Sequence, residues 1–119
     1  MIGVHLIIDA IFKEEINGKM VEEILTELPG KIGMNILKGP VVVEGVPENP
    51  GWTGFVIIDK SHIAIHTFDP VECEGMCKVS IDVFSCKHFD KEKVTEYFKE
   101  KFDFEYYKDH YIVREATLV

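Results

Sequence analysis

The stretch Thr53-Gly54-Phe55-Val56-Ile57-Ile58-Asp59-Lys60-Ser61-His62-Ile63-Ala64-Ile65-His66-Thr67-Phe68 contains two strand-like runs separated by a short polar break. The runs are Thr53 to Asp59 and Ile63 to Phe68, and both are rich in the β-branched and aromatic residues that favour strands. A third run, from Lys78 to Cys86, alternates apolar with other residues, which predicts a strand with one buried face. The sequence therefore predicts three successive strands here, with a polar loop over 69–77 between the last two.

The residues before this stretch predict a strand, a helix and a further strand. Ile2 to Ala10 is apolar and β-branched, which indicates a strand that contains His5. An amphipathic helix follows, because apolar residues recur there at helical spacing: Met20, Val21, Ile24, Leu25 and Leu28. Pro29-Gly30 is expected to end this helix. Val41 to Val43 predicts another strand, and the Pro- and Gly-rich segment from Val46 to Gly51 predicts a loop.

The residues after the stretch complete the fold prediction. Asp90 is expected to cap a helix that runs to about Lys101, and Phe104 to Val113 predicts one or two further strands. The order is then β-α-β-β-β-β-α-β with short connections. This order favours the α+β class, as a two-layer α/β sandwich whose antiparallel sheet has two helices packed on one face.

Length and composition indicate a single ordinary globular domain over residues 1–119. Of the 119 residues, 46% are hydrophobic and 29% charged, so a core is available without disordered bias. The net charge of -8 comes from 13 basic and 21 acidic residues, which disfavours binding to nucleic acid. We expect no membrane association, since no apolar run approaches the ~20 residues of a membrane helix. Three cysteines argue against a disulfide framework and favour the reducing cytoplasm.

Two kinds of chemistry can be considered from residue spacing alone. His62 and His66 lie four apart, hence on one face of a strand, and could bind zinc together with Cys73 and Cys77. We favour incidental roles for these two cysteines, because the order of the ligands is unusual and such short motifs often occur by chance. We therefore expect no metal site. Ser61 beside a histidine could be a nucleophile, but no hydrolase motif accompanies it.

Three motifs, in the same order, resemble those of the prokaryotic S-adenosylmethionine decarboxylase proenzymes. Thr53 to Phe68 resembles the family segment S-G-V-V-V-I-S-E-S-H-L-T-I-H-T-W. Ser80 to Cys86 resembles A-x-D-x-F-T-C, and Gly3 to Ile7 resembles G-x-H-L. The resemblance covers most of the chain and makes it a divergent member of a family of pyruvoyl-dependent enzymes.

The resemblance implies a proenzyme that cleaves itself between Lys60 and Ser61, giving fragments 1–60 and 61–119. Ser61 would become the pyruvoyl cofactor. Thr53 matches the processing serine of the family and keeps its hydroxyl, and His66 matches the base that removes the Cα proton. Cys86 matches the general acid that returns a proton to the substrate.

The resemblance also implies the substrate and the partner. The substrate would be S-adenosylmethionine, whose decarboxylation supplies aminopropyl groups for spermidine, and the chain would form a homodimer whose sheets face each other and complete the active sites. The chain departs from the family at Lys60, where glutamate is usual, and at Asp69-Pro70, where the family has proline and glutamate. The aromatic residue that the family places shortly before its processing serine, to stack on adenine, also has no clear counterpart, and the nearest residues are Pro47 and Trp52. This leaves open a pyruvoyl-dependent decarboxylase of arginine or ornithine. A second alternative is an uncleaved homologue with a binding or regulatory role.

One geometric question follows from the spacing of the candidate residues. Ser61 and His66 lie five apart, so a regular strand would point them to opposite faces. We expect either a bulge between them or a position for Ser61 in the turn before the strand. His5 and Asp82 are expected to be structural, and His62 to have no chemistry of its own.

Overall fold

The computed structural model describes residues 2–59, 61–68 and 75–116. It contains eight elements in the predicted order: β1 (Gly3–Phe12), α1 (Gly18–Lys31), β2 (Ile36–Val46), β3 (Asn49–Ile58), β4 (Ser61–Phe68), β5 (Cys77–Ser85), α2 (Lys91–Lys101) and β6 (Phe104–Arg114). The strands form one antiparallel sheet in the order β2-β3-β4-β5-β1-β6. The predicted α+β class, with both helices on one face, is confirmed.

The core lies between the sheet and the two helices. The alternation in β5 buries Val79, Ile81 and Val83 against the helices, as predicted. Helix α1 buries the apolar stripe that its spacing predicted, and α2 buries Val94, Tyr97 and Phe98. The side chain of Asp90 accepts a hydrogen bond from the Glu92 N–H, so the predicted cap of α2 is confirmed.

A polar cluster joins the two helices at their exposed edge. Lys101 Nζ donates to Glu27 Oε1 at 2.8 Å, and Tyr97 Oη donates to Glu27 Oε2 at 3.3 Å. The hydrogen bond from Lys101 lowers the pKa of Glu27, whereas burial raises the pKa of Tyr97 to about 12.

Two local predictions need correction. Pro29 does not end α1 but lies inside its last turn, and the chain turns at Gly33, which has a φ of 72°. The expected loop from Val46 to Gly51 is only a two-residue turn at 47–48, because β2 and β3 pair directly as far as Val46 and Asn49. The C-terminal segment forms one strand, which agrees with the predicted one or two. Most of the predicted loop over 69–77 lies outside the described residues, as does Lys60.

The sheet face opposite the helices is uncovered in this protomer, and we call it the open face. Direct cross-strand partners point to the same face of a sheet, which places Val43, Thr53 and His66 together on this side. Its exposed large apolar residues are Val41, Val43, Phe55, Ile57, Phe68, Tyr106 and Ile112. Neither helix of the described residues is long and apolar enough to cross a membrane.

Candidate active site

The first pair of candidate residues lies on the open face. Thr53 of β3 and His66 of β4 are direct cross-strand partners, and Thr53 Oγ1 lies 3.1 Å from His66 Nδ1. Both side chains are exposed. The contact leaves Nε2 of the imidazole pointing away from this hydrogen bond, where a base could accept a proton.

The backbone beside this pair is fixed by a close approach of two strands. The Trp52 N–H donates to Oγ1 of the buried Thr67 at 2.9 Å. Gly51 has a φ of 134°, and a β-carbon at this position would clash with the carbonyl oxygen of Thr67. This local arrangement holds Thr53 and His66 opposite each other.

The second pair lies at the other end of β4. Ser61 is the first residue of the strand, pairs with Ile58, and is only 6% exposed on the helix-facing side. Its Oγ accepts a hydrogen bond from the Cys86 N–H at 3.2 Å and donates to the Asp59 carbonyl at 3.4 Å. Cys86 directly follows β5, and its side chain is exposed. The structure thus brings Ser61 and Cys86 together, as it does Thr53 and His66.

The two pairs do not meet within one protomer. The β3–β4 register runs without a shift from Ile58/Ser61 to Thr53/His66, so neither the expected bulge nor a turn position for Ser61 is present in this described segment. Ser61 and His66 are therefore on opposite faces and about 16 Å apart, at about 3.3 Å per residue. Hydrogen-bonded pairing to β3 and β5 on both sides keeps β4 regular.

A cluster of aromatic and polar side chains occupies the open face between the two ends of β4. His62 stacks on Phe55 with ring centroids 5.1 Å apart, and the ring of Phe84 lies 5.5 Å from the ring of His62. His5 Nδ1 donates to Asp82 Oδ1 at 2.9 Å, and its ring lies 4.6 Å from Phe84. The structural interpretation of His5 and Asp82 fits these contacts.

The alternative zinc set is not assembled by the fold. His62 and His66 do share the open face, but Cys77 is fully buried on the helix-facing side of β5. Cys73 lies outside the described residues. Among 2–59, 61–68 and 75–116, no three His, Cys, Asp or Glu side chains converge as metal ligands.

Two buried hydroxyl residues beside the candidate residues were missed from the sequence. Thr67 supports the Thr53–His66 pair, and Ser85 is fully buried directly before Cys86. A serine or threonine at an inward position of an alternating strand is the signal that identifies both, because a buried hydroxyl has to be hydrogen-bonded.

Comparison with known proteins gives a consistent result over nearly the whole chain. Residues 5–115 match the family described as S-adenosylmethionine decarboxylase. The chain is 34% identical over 117 residues to an S-adenosylmethionine decarboxylase proenzyme of Archaeoglobus fulgidus, covering 95% of this chain and 96% of that protein. It is 33% identical over 106 residues to the proenzyme of the same name from Clostridium botulinum strain Langeland, covering 86% and 84%.

Proposed function

The chain belongs to the S-adenosylmethionine decarboxylase family, and we propose that it is a pyruvoyl-dependent S-adenosylmethionine decarboxylase that processes itself at Ser61. Cleavage between Lys60 and Ser61 would give fragments 1–60 and 61–119. The product would supply aminopropyl groups for spermidine. The observation that carries this proposal is the hydrogen bond from the Cys86 N–H to Ser61 Oγ, which joins the proposed nucleophile to the residue that follows β5.

Self-cleavage begins at the Ser61 hydroxyl. Its oxygen attacks the carbonyl carbon of Lys60, and the peptide bond is replaced by an ester. The Cys86 N–H that donates to this oxygen favours the reaction because it holds the attacking atom in a defined position. Ser61 is nearly buried, so water does not compete for this hydrogen bond.

The ester is then broken by removal of the Cα proton of residue 61, for which we propose His66 as the base. A base acts only within hydrogen-bond reach, and His66 of the same protomer is about 16 Å away along the strand. We therefore assign this role to His66 of the partner subunit, with Thr53 of the partner subunit beside it.

The open face is the surface through which we propose that two protomers pair. Its apolar residues include Phe55 and Ile57, which are 40% and 38% exposed. Contiguous exposed apolar area on one face is typical of a protein interface. A two-fold axis repeats each contact, so one interface would create two sites, each combining Ser61 and Cys86 of one chain with Thr53 and His66 of the other.

The cofactor requirement is met by the chain itself, since Ser61 would become the pyruvoyl group. That group supplies a carbonyl that accepts electrons as carbon dioxide leaves the substrate. Cys86 is exposed beside residue 61 and is the proposed acid that returns a proton to the product. This role needs a thiol, which fits the reducing cytoplasm that the three cysteines predict.

The test follows processing and activity in turn. Purified protein is incubated warm and its intact mass is followed, with Ser61→Ala as the uncleavable control. We expect the wild type to give two fragments and the variant to stay at full length. The processed protein is then assayed for carbon dioxide release from S-adenosylmethionine, arginine and ornithine. Turnover of arginine or ornithine alone would contradict the proposed substrate, and a wild type that never cleaves would contradict the enzyme.

A further inference from the structure

Ser85 lies one residue before Cys86, and its hydroxyl holds the turn that carries the Cys86 N–H. We propose that Ser85 is a positioning residue for self-cleavage, acting through this N–H on the Ser61 hydroxyl. The inference rests on the proposed processing at Ser61. It assigns a role in that reaction to a side chain that is too deeply buried to touch the substrate.

The hydroxyl of Ser85 makes two hydrogen bonds within one turn. Its Oγ donates to the Lys87 carbonyl at 2.7 Å and accepts from the Lys87 N–H at 3.1 Å. Ser85 is the last residue of β5 and is fully buried, so water does not compete for these bonds. A single hydroxyl therefore closes the turn from 85 to 87 across Cys86, through both backbone groups of Lys87.

This turn fixes the direction of a hydrogen bond that links it to β4. The Cys86 N–H points at Ser61 Oγ, 3.2 Å away, and the other contact of that oxygen, to the Asp59 carbonyl at 3.4 Å, is weaker. The N–H is thus the main constraint on the position of Oγ among the described contacts. A small rotation of the 85–86 peptide plane would release it.

The same donor can act in both chemical steps. In the first, Oγ bonds to the Lys60 carbonyl carbon, the C–N bond to residue 61 breaks, and the hydroxyl proton passes to the new amine. In the second, the base takes the Cα proton, the Cβ–Oγ bond breaks, and Oγ leaves as part of the Lys60 carboxylate. An N–H directed at Oγ orients the attacking atom in the first step, and in the second it stabilises the negative charge that Oγ gains as it leaves.

A second serine on β5 provides a matched control. Ser80 lies on the same strand, and its hydroxyl donates to Asp9 Oδ1 at 3.0 Å on the open face. Loss of this hydroxyl removes one side-chain hydrogen bond without touching the turn at Cys86. A general effect of removing a serine from β5 would slow Ser80→Ala and Ser85→Ala alike.

The experiment compares the cleavage rates of wild type, Ser85→Ala, Ser85→Thr and Ser80→Ala by intact mass. We expect Ser85→Ala to cleave about 10- to 100-fold more slowly, because a nucleophile displaced by an ångström loses a factor of that order. Ser85→Thr, which keeps the hydroxyl, and Ser80→Ala should cleave within about threefold of wild type. Thermal melting of each variant checks that the fold is retained. If Ser85→Ala does not fold, the nearly isosteric Ser85→Cys takes its place and should also be slowed, since a thiol is a weaker donor.

Addition of hydroxylamine, which cleaves esters, separates the step affected. A positioning role at Oγ predicts that Ser85→Ala remains slow with hydroxylamine, because the ester itself forms slowly. Cleavage of Ser85→Ala at the wild-type rate, or of Ser85→Thr at the slow rate, overturns the inference while leaving the proposed function intact. A wild type that stays uncleaved overturns the proposed function and this inference with it.

Discussion

The hydroxyl of Thr53 lies 3.1 Å from Nδ1 of His66, across a strand pair and on the face of the sheet opposite the helices. The Ser61 hydroxyl is held on the other face, by the Cys86 N–H. Each pair has well-defined hydrogen bonds, yet neither contains a complete set of groups for self-cleavage. This division is the reason that two of the following predictions, on mixed variants and on the open face, concern pairs of chains.

Replacement of His66 by alanine should stop processing after the ester has formed. Loss of a positioned base costs about 10²- to 10⁴-fold in rate. Full-length protein should accumulate on a denaturing gel, and hydroxylamine should cleave it at the 60–61 bond. His110→Ala is the control and should process normally, because it removes an exposed histidine of the same face from the edge strand β6 and leaves Thr53 and His66 in place. Normal processing of His66→Ala would show that another group is the base.

A mixture of two inactive variants should regain processing if the site is shared. Ser61→Ala retains His66, and His66→Ala retains Ser61, so a mixed dimer contains one complete site. The two chains, carrying different tags, are coexpressed and their masses measured. Only the His66→Ala chain should be cleaved. If both chains stay intact in the mixture although each retains its fold, all the groups have to come from one protomer.

A charge on the open face should prevent pairing of the protomers. Phe55→Lys places an ammonium group in the middle of the exposed apolar residues, where burial in an interface is strongly unfavourable. We expect a monomer by light scattering and processing at least about tenfold slower, since the base of the partner is lost. Glu22→Lys, on the exposed side of α1, is the matched control and should remain a dimer that processes normally.

The approach of β3 to β4 at Gly51 should not tolerate a side chain. Gly51→Ala adds a β-carbon against the Thr67 carbonyl at a φ of 134°, which should lower the free energy of unfolding by about 2–3 kcal/mol. In Gly30→Ala the new methyl group has open space in α1, and the free energy should change by less than about 1 kcal/mol, in the stabilising direction. Urea unfolding measures both. Equal free energies of unfolding for Gly51→Ala and Gly30→Ala would contradict the close approach of Gly51 to the Thr67 carbonyl.

The link between the helices should depend on pH. The hydrogen bond from Lys101 lowers the pKa of Glu27 below its ordinary value of 4.5. The contribution of the Glu27 carboxylate to the free energy of unfolding is therefore complete above pH 4.5, and it is lost as the pH falls through the lowered pKa. Glu27→Gln should reduce stability by less than about 1 kcal/mol at pH 7, because the pair is solvent-screened, and the difference from wild type should shrink towards pH 3. A difference that persists unchanged at pH 3 would contradict an ionic origin.

Local patterns were sufficient for the element order, and they failed where pairing decided the outcome. The alternation of β5 and the cap at Asp90 depend on neighbouring residues, so both could be predicted. The turn at 47–48 could not, because Pro47 and Pro50 are typical of loops, and only the pairing of β2 with β3 extends both strands to within two residues of each other.

The candidate residues were likewise found partly from the sequence and partly from the tertiary structure. Ser61, His66, Cys86 and Thr53 were identified from the sequence through its resemblance to a family. The expected bulge or turn between Ser61 and His66 was wrong, because β4 is regular and its period of two places them on opposite faces. Only the tertiary structure paired Cys86 with Ser61, paired Thr53 with His66, and left the face that contains His66 uncovered. The physical reason is that alternation is set within one strand, whereas register and face depend on hydrogen bonds and packing between segments far apart in the chain.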